Sequence, residues 1–105
     1  MLSVLRIDRW DPSREGPVTE AALRRKVQSY GYEVCTLAWP AGTVVPPQAQ
    51  NYERVDAVLA GMVRITLDGE SAILTPGDLV HVPRGSVRCV EVVGPAPARC
   101  LDGQP

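Results

Sequence analysis

Residues 42–61 read GTVVPPQAQNYERVDAVLAG, and residues 77–92 read GDLVHVPRGSVRCVEV. In the first stretch Gly42 is followed by five residues, Gln48-Ala49-Gln50, three residues, Arg54, six residues and Gly61. In the second, Gly77 is followed by five residues, Pro83-Arg84-Gly85, two residues, Arg88, three residues and Val92. Residues 62–76 separate the two. Five positions form a frame: Gly42, Gly61, Gly77, Pro83 and Gly85. The glycines permit tight turns that a Cβ would crowd, and a proline at position 83 ends a strand at an edge or turn.

Short strand patterns surround this frame. YEVCTLAW (32–39) is rich in β-formers and is broken by Pro40-Ala41-Gly42. VDAVLAG and MVRITL follow, and Asp68-Gly69 before ESAIL is a strong hairpin signal. Thr75-Pro76-Gly77-Asp78 is a further turn, after which LVHVP and SVRCVEVV continue the series. Turns at such short intervals predict a β-sandwich or barrel. Upstream, SVLRI (3–7) reads as a short strand and DPSREGP (11–17) as a turn-rich linker. VTEAALRRKVQSYG reads as a helix, capped by Thr19 and ended by Gly31, with Leu23, Val27 and Tyr30 on one stripe. Arg24, Arg25 and Lys26 suit its C-terminal half and read as a solvated face. Pro95–Ala98 reads as a stiff connector and the tail DGQP as frayed. The division expected is a strand and helix over 1–32 packed on a barrel over 33–105, as one structural domain.

Composition removes several function classes. The chain has 105 residues, a one-domain length. Its 11 Lys and Arg nearly balance 12 Asp and Glu, with no basic stripe interleaved with aromatics, so nucleic acid is not an expected partner. No apolar run reaches membrane-spanning length, and the N-terminal stretch lacks a secretory pattern, so the expectation is no membrane and a cytoplasmic location. Cys35, Cys89 and Cys100 form no C-x-x-C pair and read as reduced, partly buried thiols. His81 is the single histidine. One chain therefore cannot supply a two-His-one-carboxylate iron site or a three-His zinc site.

The two spacings resemble those of the cupin superfamily, small jelly-roll barrels of the RmlC-like type, over roughly residues 33–101. The resemblance implies a mainly β fold, an antiparallel cupin barrel with one N-terminal helix. Metal-binding cupins place His, His, Glu and His where this chain has Gln48, Gln50, Arg54 and Arg88. A glutamine offers a weak carbonyl ligand, and an arginine offers no lone pair. The expectation is therefore no metal and no other cofactor, and loss of the chemistry that metal supports in the family.

Side chains alternate along a strand. With Arg54 inward, Asp56 and Val58 share its face, Gln48 and Gln50 face in from a neighbouring strand, and Arg88 enters after Pro83. The candidate ligand-binding set is Gln48, Gln50, Arg54, Asp56 and Arg88, with no catalytic residue assigned. Both guanidiniums must be paired or wet. Either Asp56, helped by Glu53 or Glu91, neutralises them and fills the barrel, or one is left to take a small anionic or polar ligand as a bidentate fork. Three functions stay open: a non-enzymatic binding module; a metal-independent isomerase or cyclase using His81 or Asp56; and a structural dimerisation module, homodimer formation being what the family implies.

Overall fold

The computed structural model describes residues 4–105. Its nine strands are β1 (Arg6–Asp8), β2 (Glu33–Trp39), β3 (Val44–Gln48), β4 (Arg54–Ala60), β5 (Val63–Leu67), β6 (Glu70–Leu74), β7 (Leu79–Val82), β8 (Arg88–Val92) and β9 (Ala98–Gln104). Two helices, α1 (Pro12–Glu15) and α2 (Glu20–Gln28), lie between β1 and β2. The strands form a five-stranded sheet, β1-β7-β4-β9-β2, and a four-stranded sheet, β3-β8-β5-β6, with antiparallel ladders throughout. This is the mainly β barrel that the turn spacing predicts.

The frame glycines are where the backbone demands them. Gly42, Gly61, Gly77 and Gly85 all have positive φ. At Gly61 a Cβ would also meet the Pro97 carbonyl oxygen at 2.5 Å, and at Gly77 it would collide with Trp10. Asp68 and Gly69, both with positive φ, make the two-residue hairpin between β5 and β6. Asp68 Oδ1 then accepts from the Val87 N–H and anchors the hairpin to the loop before β8.

Alternation divides the apolar residues between two cores. Val58, Val80 and Val82 from the larger sheet meet Val63, Ile65, Leu67, Leu74, Val90 and Val92 from the smaller one inside the barrel. Val55, Ala57, Leu79 and Leu101 point the other way and bury Leu23 and Val27 of α2. Those two residues are spaced i, i+4, so one helical stripe covers the outer face of the larger sheet. Thr19 caps α2, its Oγ1 accepting from the Ala22 N–H.

Four local expectations change. The N-terminal strand begins at Arg6, later than SVLRI suggests, and Ser3 lies outside the described residues. The segment at 11–17 holds a helical turn, because Asp11 Oδ1 caps the Ser13 N–H and Pro12 starts the turn. Lys26 is not simply solvated: its Nζ reaches Asp8 and Glu15 and lies 5.0 Å from the Trp10 ring centre. The tail is not frayed through Gln104. Asp102, Gly103 and Gln104 complete β9, between β4 and β2. Gly103 is required there, since a Cβ would meet Val27 Cγ1 at 2.6 Å and Val55 Cγ2 at 2.7 Å.

Candidate functional site

Three inward positions of the larger sheet carry charge. Arg54 and Asp56 precede Val58 on β4, and Asp102 follows Cys100 on β9. Asp56 and Asp102 are directly opposed across the β4–β9 ladder. From the smaller sheet, Arg88 opens β8 with Val90 and Val92 further along its inward face. All four side chains are buried. Together they form a polar layer at one end of the apolar barrel interior.

Arg88 Nη1 donates to Asp56 Oδ2 at 2.5 Å, a buried ion pair. Burial pushes the Asp56 carboxyl above its ordinary value; Arg88 and Arg54 oppose that shift, and the facing Asp102 adds to it. Asp102 Oδ2 accepts from the Gln104 amide at 2.7 Å, while its Oδ1 has no partner among the described residues. Arg54 is 5% exposed. Its side chain makes no hydrogen bond or ion pair among the described residues, and its Nε is buried without an acceptor.

The structure brings Asp56 and Arg88 together and keeps Arg54 on the same inward side. Gln48 is the ladder partner of Arg88, past an irregularity in β3, but it is exposed; Gln50 lies beyond the strand and is half-buried. The two glutamines therefore stand at the rim. Of the acidic residues expected to assist Asp56, Glu91 instead accepts from Arg64 at 2.6 Å on the outside, and Glu53 is exposed with no ion pair among the described residues. Asp102 and Gln104 join the layer instead, bonded to each other and to neither arginine among the described residues. Continuing the period-2 pattern from Cys100 through Asp102 to Gln104 would have found them.

Below the polar layer the barrel is nearly filled. The space bordered by Asp56, Trp39, Ile65, Leu74, Val90 and Cys100 amounts to about 10 Å³. Burial pushes the Cys100 thiol up to about 12, which leaves it inert at neutral pH. A larger recess of about 160 Å³ opens where β4 begins and β7 ends, lined by Arg6, Tyr32, Glu53, His81 and Pro83 among others. His81 itself is on the outer face with Leu79, and the Tyr30 ring meets it edge-on at 4.9 Å.

These residues do not fit the metal of metal-binding cupins. Arg54 and Arg88, which the motif spacing sets against two of its four ligand positions, offer no lone pair. Among the described residues no group of three or more His, Cys, Asp or Glu is placed to hold a metal ion.

The sequence profile of the cupin domain matches residues 36–103, so the chain belongs to the cupin family. Among solved structures it is similar to a cupin 2 domain-containing protein from Halorhodospira halophila, with a TM-score of 0.72 and 21% identity over 97% of this chain and 76% of that one. A cupin protein from Bacteroides fragilis shares 29% identity, with a TM-score of 0.62 over 68% of this chain and 62% of its own. AerE from Microcystis aeruginosa gives a TM-score of 0.66 at 18% identity over 70% of this chain. The chain spans only 35% of AerE, so that likeness is one of fold. No curated protein sequence matches the chain. No helix among the described residues is long and apolar enough to cross a membrane.

Proposed function

We propose that this cupin is a non-enzymatic binding module that takes a small anionic or polar ligand at the mouth of its barrel, without a metal. One observation carries the reading. The buried side-chain polar atoms without a partner among the described residues are Arg54 Nε, Arg88 Nε and Asp102 Oδ1, and all three belong to the polar layer. Each such atom costs about 1–3 kcal/mol when left unsatisfied. Native interiors leave few of them, so three in one layer favour a surface completed by a ligand. Arg54 has no counter-charge in contact among the described residues, and its planar fork matches an oxyanion. Gln48 and Gln50 stand at the rim with amides free to reach the rest of a small polar molecule.

Thermal melting with small carboxylates, phosphate and sulfate at matched ionic strength tests this. A ligand at about 100 times its Kd adds roughly 2.7 kcal/mol, which for a domain of this size raises Tm by on the order of 10 °C. The expected result is a rise of that order with one anion class. A flat response to every anion overturns the reading.

A second reading, a homodimerisation module, is favoured by a different feature. β2 is an edge strand of seven residues whose ladder with β9 runs without a register shift and contains no Lys or Pro. The other edges are blunted: β1 has three residues, β3 contains Pro46 and Pro47, and along β6 the Ile73 carbonyl accepts from Arg9. Arg24 covers part of β2, donating to the Val34 carbonyl at 3.5 Å and the Thr36 hydroxyl at 3.1 Å, but the strand is long and regular enough for its edge to invite a second strand. Sedimentation of the wild type and of Ala38→Lys separates the two readings: a dimer lost in the variant favours the module, and a monomer in both removes it. The isomerase or cyclase reading has less behind it, because Asp56 faces inward against Arg88 while His81 stands on the opposite face of the sheet.

A further inference from the structure

The polar layer holds donors and an acceptor together, and that mixture narrows the ligand. Among the described residues Arg54 Nε and Arg88 Nε are buried donors without an acceptor, and Asp102 Oδ1 is a buried acceptor without a donor. A plain carboxylate or sulfate only accepts, so it answers the guanidiniums and leaves Asp102 Oδ1 bare. Formal charge points the same way. Arg54 and Arg88 cancel Asp56 and Asp102, all four buried. A bare anion gives this layer a net negative charge, whereas a molecule with one carboxylate and one ammonium group keeps it neutral.

Register sets the two contacts side by side. Val55 pairs with Gly103 across β4 and β9, which puts Arg54 against Gln104 and makes Asp102 its diagonal neighbour on the inward face. Such neighbours lie about 7–8 Å apart along a sheet, a span that an arginine side chain and a small molecule bridge together. Gln104 donates to Asp102 Oδ2 and leaves Oδ1 for an incoming group.

The next strand carries the layer to solvent. Cys35 of β2 is the ladder partner of Asp102, and Glu33 is that of Gln104. Partners across a ladder share a face, so both point toward the barrel interior, as Leu37 and Trp39 do further along β2. Yet Cys35 and Glu33 are exposed, while Leu37 and Trp39 are half-buried. The interior is therefore open along the start of β2, beside Asp102, and Glu33 gives that opening a carboxylate.

We infer that the polar layer takes a small amino acid through this opening, its carboxylate on Arg54 and its ammonium group on Asp102. The inference rests on the anion-binding reading and names the ligand class for that same site.

The probes are glycine and β-alanine, with acetate and methylammonium as their two halves, at matched ionic strength. Calorimetry gives Kd for the wild type, Arg54→Gln and Asp102→Asn. The last variant keeps an oxygen for the Gln104 amide and loses the charge. One amino acid should bind the wild type at least fivefold tighter than either half, a comparison that depends on no variant. Asp102→Asn should remove its advantage over acetate, and Arg54→Gln should weaken acetate and amino acid alike. Alkylation by iodoacetamide, read for each cysteine by mass spectrometry, locates the ligand. Bound amino acid should slow labelling of Cys35 at least threefold. Cys89, on the outward face of β8, should keep its rate.

The contrary results differ in reach. Acetate binding as tightly as both amino acids, in a manner that needs Arg54 and ignores Asp102→Asn, overturns the amino-acid inference and leaves the anion-binding reading standing. Amino-acid binding that leaves Cys35 labelling unchanged overturns the placement beside β2 and the inference with it. No binding of amino acids, acetate, phosphate or sulfate removes both readings.

Discussion

Lys26 and Arg54 are both cations beside the larger sheet, and their surroundings are opposite. Lys26, on the helix side, has Asp8 Oδ1 at 3.1 Å, Glu15 Oε1 at 2.7 Å and the Trp10 ring beneath it. Its side chain is 13% exposed, so some water remains. Arg54, on the barrel side, is more deeply buried and contacts no acceptor among the described residues. Pairing is thus complete where its loss would cost less and missing where it costs more. The helix-side cluster is a finished piece of structure that ties α1, α2 and β1 together. In the barrel-side layer Arg88 is paired with Asp56, while Arg54 makes no ion pair among the described residues.

The contrast can be broken most forcefully at Asp56. Asp56→Ala strips Arg88 of its buried partner, and removing one member of such a pair costs about 3–5 kcal/mol. Urea unfolding should report that loss, and the double change Asp56→Leu with Arg88→Met should recover most of it, since an apolar pair of similar volume leaves no buried charge. Full retention of stability in the single variant would mean that the pair is wet and open.

A smaller effect is expected on the helix side. Lys26→Ala removes partly exposed ion pairs and one cation–π contact, together worth about 1–2 kcal/mol after solvent screening. High salt should erase part of that difference. Smaller still is Arg54→Met. Because Arg54 makes no hydrogen bond or ion pair among the described residues and acts on Asp56 only through its charge, its replacement should change stability by less than about 1 kcal/mol. A loss as large as that of Asp56→Ala would reveal a partner for Arg54 and remove the contrast.

Acid sharpens the same comparison through signs alone. Asp8 and Glu15 have depressed carboxyls: for Asp8 burial raises the value, but hydrogen bonds from Tyr30 and Lys26 outweigh it, and for Glu15 the Asp11 N–H contributes most. Their stabilisation is present above the unfolded values of 3.8 and 4.5 and is lost as pH falls through the lower folded ones. Asp56 runs the other way. Its folded value is raised, so the protonated form is favoured, and its contribution is full below 3.8 and is lost as pH rises through the folded value. Melting curves across the acid range should show Lys26→Ala losing its deficit as pH drops below 4. Asp56→Asn, which mimics the protonated acid, should differ from wild type less at low pH than at neutral pH.

Much of the fold was legible because it rests on backbone demands that only a few residue types meet. Gly42, Gly61, Gly77 and Gly85 occupy positive φ, and Asp68-Gly69 makes the tight hairpin, so each left a local mark. The charged set Arg54, Asp56 and Arg88 was legible as well, since alternation along β4 and spacing after Pro83 decide which way each points. Asp102 and Gln104 escaped notice because DGQP has the composition of a loop. Position 103 of that strand takes glycine because Val27, Val55 and Tyr32 fill the space a Cβ would need, a tertiary fact with no local signature. The short α1 was hidden for the opposite reason: its signal, an aspartate followed by proline, is strong but spans few residues. The recess at His81 depends on β1 lying beside β7, which brings Arg6 opposite His81 across most of the chain's length.

The most direct test of the central claim is a calorimetric titration of acetate into the wild type and into Arg54→Met at matched ionic strength. A saturable one-to-one heat in the wild type that vanishes in the variant is the result this account requires. Equal heats in both proteins, or none in either, would contradict it.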